Sequence, residues 1–274
     1  MRPILTSLEE AREAGTVPPP AAPSQRTCIR PPRTTEAHET PWMQTANGRA
    51  FDLLAPRVED VVLEDYAHAI ARIARFNGAT RSYSGYSVAQ HSLLVADLLK
   101  TWGADAALER EGLLHDAAEA YYGDITSPVQ RALREMHLAL VESAATSAVA
   151  MFEPGSADRT IAEKVVDRMV YVLDASDPLR ELKARVDPVV RTALKLAPEE
   201  SPLVKRADLV ALAIERKLLM RPCDRAWTLP ELADTRWVEL NVLGSPNAEA
   251  EFKIRLGQLD ERVRLDEIVK DSAE

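Results

Sequence analysis

Apolar residues recur at helical spacing through most of the chain. Leu63, Tyr66, Ala67, Ile70, Ile73 and Ala74 form a stripe that predicts a helix over Leu63–Phe76. Ser87–Trp102 reads as the next helix, opened by a serine and closed before Gly103. A third is predicted over Ala104–Tyr122, stopping at Gly123. Ser127 as N-cap and Pro128 at the first helical position open a fourth, which runs to about Phe152 before Pro154-Gly155 ends it. Residues 157–197 read as two more amphipathic helices around a break at Asp174–Pro178. Leu203–Met220 is a further helix, ended by Arg221-Pro222. Phe252, Ile254, Leu256, Leu259, Val263 and Leu265 predict a last helix over Ala248–Val269. Between Met43 and Leu54 the pattern changes: two apolar clusters flank Asn47-Gly48, a hairpin signal, so a short β-ribbon is expected there. The expected fold is all-α, a helical bundle with an N-terminal β-ribbon.

Proline changes the picture at the front. Of 18 prolines, eight fall at or before Pro41. Neither helices nor central strands tolerate that density, so residues 1–41 are expected to be an extended arm, either a plain tail or a strap on a neighbouring subunit. Residues 42–274 are then one helical domain, with a core over 42–222 and a C-terminal helical extension over 223–274. The formal net charge of −9 argues against nucleic acid as the main partner, because phosphate binders usually carry a basic surplus. The two cysteines, Cys28 and Cys223, make neither a disulfide framework nor a zinc ribbon, which suggests a reducing, cytoplasmic setting. No apolar run approaches the roughly 18 residues of a membrane span.

Candidate chemistry centres on Leu113-Leu-His115-Asp116-Ala-Ala-Glu119-Ala-Tyr121. On a continuous helix His115 and Glu119 would lie about 40° apart, so these three polar groups would share one cavity in an otherwise small and apolar segment. Burying an imidazole with two carboxylates is costly without a cation or hydrogen bonds, and a divalent metal would supply the compensation. A partly exposed polar stripe is the other reading. His91 is a second polar residue in a largely apolar helix. Asp208 is flanked by alanine and leucine, and Glu215, seven positions on, shares its face. His91, His115, Asp116 and Asp208 would make an ordinary mixed nitrogen and oxygen ligand set for Zn, Mn, Co or Fe, with Mg possible. Asp174 and Asp177 are rival acids for the last place, although Asp177-Pro178 reads as a turn or helix start.

The order His91, then His115-Asp116, then Asp208 on successive helices resembles the HD-domain metal-dependent phosphohydrolases. Within them it is most similar to the 5′-deoxynucleotidase branch and to phage-type dATP triphosphohydrolases. Arg75-Phe-Asn-Gly78 followed by Tyr86-Ser-Val-Ala-Gln-His91 is similar to that family's arginine–aromatic loop and first metal histidine. Leu114-His-Asp-Ala-Ala-Glu119-Ala-Tyr-Tyr-Gly-Asp124-Ile-Thr-Ser-Pro128 resembles its central motif nearly throughout, and Val204–Ala213 its last-ligand helix. The likeness covers roughly residues 42–222. His91 and His115 are closer in sequence than the pattern suggests, and residues 155–200 are longer.

The resemblance implies a hydrolase of deoxynucleoside phosphates, a triphosphohydrolase or a 5′-nucleotidase, that forms homo-oligomers in some relatives. It implies metal ligation by His91, His115, Asp116 and Asp208. Glu119 would be a general acid or base, or else a partner of a ligand histidine. Arg75 would neutralise phosphate, or simply close a helix end. Phe76 would stack on a base or pack, Asp124 would bind the sugar or cap the next helix, and Lys205 with Arg206 would face a polyphosphate or solvent. Two other functions stay open. One is an alarmone or cyclic-nucleotide hydrolase, against which Ala120 counts because the alarmone branch carries an acid there. The other is a non-catalytic helical adaptor with a structural metal.

Overall fold

The computed structural model describes residues 41–174, 177–229 and 239–272, with side chains set aside at 169–174. The predicted arm, apart from Pro41, lies outside the described residues, as does the side chain of Asp174. The ribbon forms as expected. Strands β1 (Trp42–Gln44) and β2 (Ala50–Asp52) pair antiparallel with Met43 opposite Phe51, around a turn in which Gly48 takes φ +79°. Everything else regular is helical: α1 (Leu63–Ile70), α2 (Val88–Thr101), α3 (Ala106–Leu114), α4 (Glu119–Tyr122), α5 (Ser127–Val149), α6 (Ala157–Asp174), α7 (Pro178–Ala193), α8 (Pro202–Leu219) and α9 (Ser245–Asp271). No helix among the described residues is long and apolar enough to cross a membrane.

Helix α2 is the centre of the bundle. It is capped by Ser87, whose hydroxyl accepts from the Gln90 amide, and it buries Val88, Ala89, Val95, Ala96, Leu98 and Leu99. A helix that is apolar almost all round must sit inside other elements. Helices α3, α8 and α9 surround it. Phe252, Leu256 and Leu259 of α9 belong to the same buried cluster as Phe51, Tyr66 and Leu113, so the core extends beyond residue 222. Helix α5 is different: it buries none of its residues and packs chiefly against α6.

Three predicted boundaries are corrected. The first helix ends at Ile70 rather than Phe76. Beyond it the chain meets the incoming strand-like segment: Val88 donates to the Ile73 carbonyl and Arg75 to that of Tyr86, with Ala74 and Ser87 bridged. Those partners hold Ala74 extended, and a short 3-10 turn over Arg75–Gly78 follows, so Ile73 and Ala74 keep helical periodicity outside any α-helix. The third helix is broken at Leu114. From there Ala117 donates to Leu114, Glu119 to Asp116 and Tyr121 to Ala118, a run of tight turns of i→i+3 type before and through α4. At α5, Ser127 is the first helical residue, and the cap is Thr126 with no side-chain cap bond.

Gly112 sits where α3 crosses α2. A Cβ there would collide with Leu99 Cδ1 and stand 3.3 Å from Val95 Cγ1, and both of those side chains are fully buried. We expect Gly112→Ala to destabilise the fold by about 1–3 kcal/mol, because neither neighbour has space to retreat. Chemical denaturation checks this, and an unchanged midpoint would show that the helices separate freely.

Candidate metal centre

The break after Leu114 is what aims the chemistry. His115 and Asp116 sit in the turn between α3 and α4, His91 on the first turns of α2, and Asp208 on α8. Ligand atoms of His91, His115 and Asp116 all lie within 4.8 Å of one another. Asp116 Oδ2 is 3.2 Å from His115 Nε2 and 3.6 Å from His91 Nε2. Asp208 Oδ1 stands 3.1 Å from His91 Nε2, on the open side of the group, and its side chain is 39% exposed. Asp208 is therefore adjacent to the trio but outside its tightest cluster.

Each imidazole is clamped on its far nitrogen. His91 Nδ1 lies 2.6 Å from Glu215 Oε1, and His115 Nδ1 lies 2.8 Å from the Gly112 carbonyl. A carboxylate and a carbonyl only accept, so both Nδ1 atoms carry a proton, and with a cation bound both Nε2 atoms would offer it a lone pair. Those two Nε2 atoms are buried and have no hydrogen-bond partner, although Asp208 and Asp116 stand close by. Histidine metal ligands are held in this way.

Electrostatics point the same way. Burial alone would raise the carboxyl pKa of Asp116, but His115, His91 and Arg75 outweigh it and hold the group well below its usual range. For Asp208 burial is outweighed by His91, and for Glu215 by His91 and Arg75, so both stay ionised. Arg75 is desolvated, yet Glu215, Asp116 and Asp124 keep it charged. With neutral imidazoles, Asp116, Asp208, Glu215 and Asp124 against one guanidinium leave a surplus of negative charge, which a divalent cation would offset. Without such an ion, Asp116 overcomes the effect of burial and lifts the His115 pKa to about 9. The donor set and its charge therefore fit a divalent ion.

Glu119 opens α4 at the edge of this group. Burial, then Asp116 and Asp124, push its pKa up to about 9, and its Oε2 is buried without a partner. It is not the partner of a ligand histidine, because Glu215 and Gly112 fill those places. Arg75 is not a surface residue at a helix end. Its Nε lies 3.3 Å from Glu215 Oε2, and its Nη1 is 3.6 Å from Asp116 and 3.8 Å from Asp124. Phe76 and Asn77 beside it adopt φ +56° and +51°, a conformation that costs a bulky side chain about 1–3 kcal/mol and is tolerated where function needs it. Phe76 faces Trp227 at 6.2 Å between ring centroids. Asp124 faces Arg75, and no side chain caps α5. Lys205 is exposed, one turn before Asp208 on α8.

The rival Asp177 caps α7, its Oδ1 accepting from the Leu179 amide at 2.9 Å. We expect Asp177→Ala to cost about 1 kcal/mol and leave metal uptake intact, whereas Asp208→Ala weakens it. Metal analysis of the two variants separates them, and metal lost only from Asp177→Ala would reverse the assignment.

Sequence reading placed Glu215 on the face of Asp208 but missed its role. The signal was a carboxylate within Ala-Leu-Ala-Ile, a setting that demands partners. It also missed Asp187, which accepts from the Tyr122 hydroxyl at 2.8 Å, and Glu200, whose pKa is raised by burial despite the opposing pull of His115.

No family model matches the chain. It is 41% identical over 101 residues to an uncharacterised protein of Rhodobacter capsulatus, a stretch covering 36% of this chain. That match spans about half of the relative, 52% of its length. It is 26% identical over 221 residues to the uncharacterised protein YfdR of Escherichia coli strain K12, covering 80% of this chain and 96% of YfdR.

Proposed function

We propose that this chain is a metal-dependent phosphohydrolase of the HD-domain type, acting on deoxynucleoside phosphates as a triphosphohydrolase or 5′-nucleotidase. The observation that carries the reading is the pair of buried, partnerless Nε2 atoms of His91 and His115, each fixed by a bond on its other nitrogen and flanked by Asp116. These residues, with Asp208, would hold one divalent ion. Such an ion supplies Lewis-acid polarisation of a phosphoryl group and lowers the pKa of an attacking water.

The chain's own groups account for the rest. Glu119, with its pKa raised to about 9, holds a proton on its carboxyl at neutral pH and can deliver it from Oε2 to a departing oxygen. Arg75 keeps its charge in a dry setting and stabilises phosphate negative charge beside Asp116. Phe76, held in its strained conformation, offers a ring for a base, and Asp124 an acceptor for a sugar hydroxyl. Lys205, exposed on α8, would meet the outer phosphates of a longer substrate. A reducing cytoplasm suits the exposed free thiol of Cys223. The unsatisfied Glu119 oxygen disfavours a purely structural site, which gains nothing from burying it.

Substrate profiling tests the reading. With Mn or Co added, deoxynucleoside mono- and triphosphates should yield deoxynucleoside plus orthophosphate or tripolyphosphate. Turnover confined to alarmones or cyclic nucleotides, or no phosphate release at all, would overturn it.

A further inference from the structure

Helix α5 carries more apolar surface than α6 covers. It buries none of its 23 residues and packs chiefly against α6. Val141, Ala145 and Val149 are half-buried, as a face turned to α6 should be. A second stripe runs through Val129, Leu133, Met136, Leu140, Ser143 and Ser147, spaced alternately four and three residues apart. It is centred roughly 140° around the helix from the first, at about 100° per residue. Its four apolar members are between 39% and 70% exposed. Alternating spacing of this kind keeps one continuous seam along a helix, the pattern of helices that pair with one another.

Three features say what the stripe suits. It carries no charge: Arg131, Arg134, Glu135 and Glu142 all lie more than about 120° from its centre. Those four cancel, and the whole chain stands at −9, so an anionic lipid surface meets no basic rim here. The stripe is also bulky at one end and small at the other. Laid antiparallel on a copy of itself about the level of Leu138, it sets Val129 against Ser147, Leu133 against Ser143 and Met136 against Leu140. Bulky side chains in the outer layers then meet small ones. Finally, the Ser147 hydroxyl donates to the Ser143 carbonyl at 2.9 Å, so covering it leaves no unpaired donor. Pairing along about 20 residues of helix buries on the order of 1,000 Å² in total, the size a specific interface must reach.

We propose that α5 is a self-association surface, pairing antiparallel with α5 of a second copy of this chain in a two-fold dimer centred at Leu138. The pairing is independent of the metal centre and of the reaction proposed for it.

Sedimentation equilibrium of the full chain tests this. The parent should form a dimer with a dissociation constant of about micromolar. Leu140→Lys puts a charge into the central layers and should weaken the dimer by about tenfold or more. Leu140 is exposed in the single chain, so the variant should keep the parent's circular dichroism. Glu142→Lys, away from the stripe, should leave the dimer intact. Oxidation tests the register, in a background carrying Cys28→Ser and Cys223→Ser. Leu133→Cys combined with Ser143→Cys should give a disulfide-linked dimer, and neither substitution alone should. A parent that stays monomeric up to about 100 μM would overturn the proposal and leave the stripe to another protein or to lipid. An undiminished dimer in Leu140→Lys, or cross-linking by either single cysteine variant, would overturn it as well.

Discussion

Glu215→Ala is expected to lose about 3–5 kcal/mol of stability and to weaken metal binding roughly 10–100-fold. Glu215 is fully buried and binds two groups at once, His91 Nδ1 through Oε1 and Arg75 Nε through Oε2. Truncation leaves a buried guanidinium short of its main counter-charge and a buried imidazole N–H with no acceptor. The second loss also frees the His91 ring to rotate or change tautomer, so Nε2 no longer reliably offers a lone pair. Glu215→Gln separates the two effects. It keeps the shape and one carbonyl acceptor, so it should fold better than the alanine variant, yet it cannot balance Arg75. Urea denaturation and metal titration of both variants check this. Stability within about 0.5 kcal/mol of the parent, with unchanged metal affinity, would mean that Glu215 does not organise the site.

Glu119→Gln is expected to cut hydrolysis roughly 10²–10⁴-fold while metal content stays at the parent level. The carboxyl is buried with one oxygen unsatisfied, and neighbouring Asp116 and Asp124 raise the cost of ionising it. Such a group contributes nothing obvious to stability, so the variant should unfold at the parent denaturant concentration or slightly above it. That combination of lost rate, kept metal and kept fold is not what a structural role produces. A rate within about threefold of the parent would remove Glu119 from proton transfer.

The architecture was largely legible because helical periodicity and cap residues report local structure directly. Ser87 ahead of α2 is an example, and the Asn47-Gly48 turn is another. The convergence of His91, His115 and Asp116 could be expected from three polar residues placed in apolar surroundings. What stayed hidden depends on contacts between segments distant in sequence. The break after Leu114 leaves no trace in the pattern, because Ala117, Ala118, Ala120 and Tyr121 are buried in a tight turn just as they would be in a helix. Ile73 and Ala74 keep helical spacing while bonding to residues 86–88. The ties of Glu215 to Arg75, 140 positions apart, cannot be read from either neighbourhood. Asp177 caps α7, whereas Asp208 stands 3.1 Å from His91 Nε2, and the turn-like setting of Asp177-Pro178 in the sequence fits that cap.

Metal content measured on the purified full chain after dialysis against Mn or Zn tests the central claim most directly. The parent should retain about one equivalent of divalent metal per chain, and the His91→Ala and His115→Ala variants, while still folded, should retain almost none. A folded parent chain that takes up no divalent ion under these conditions would contradict the account.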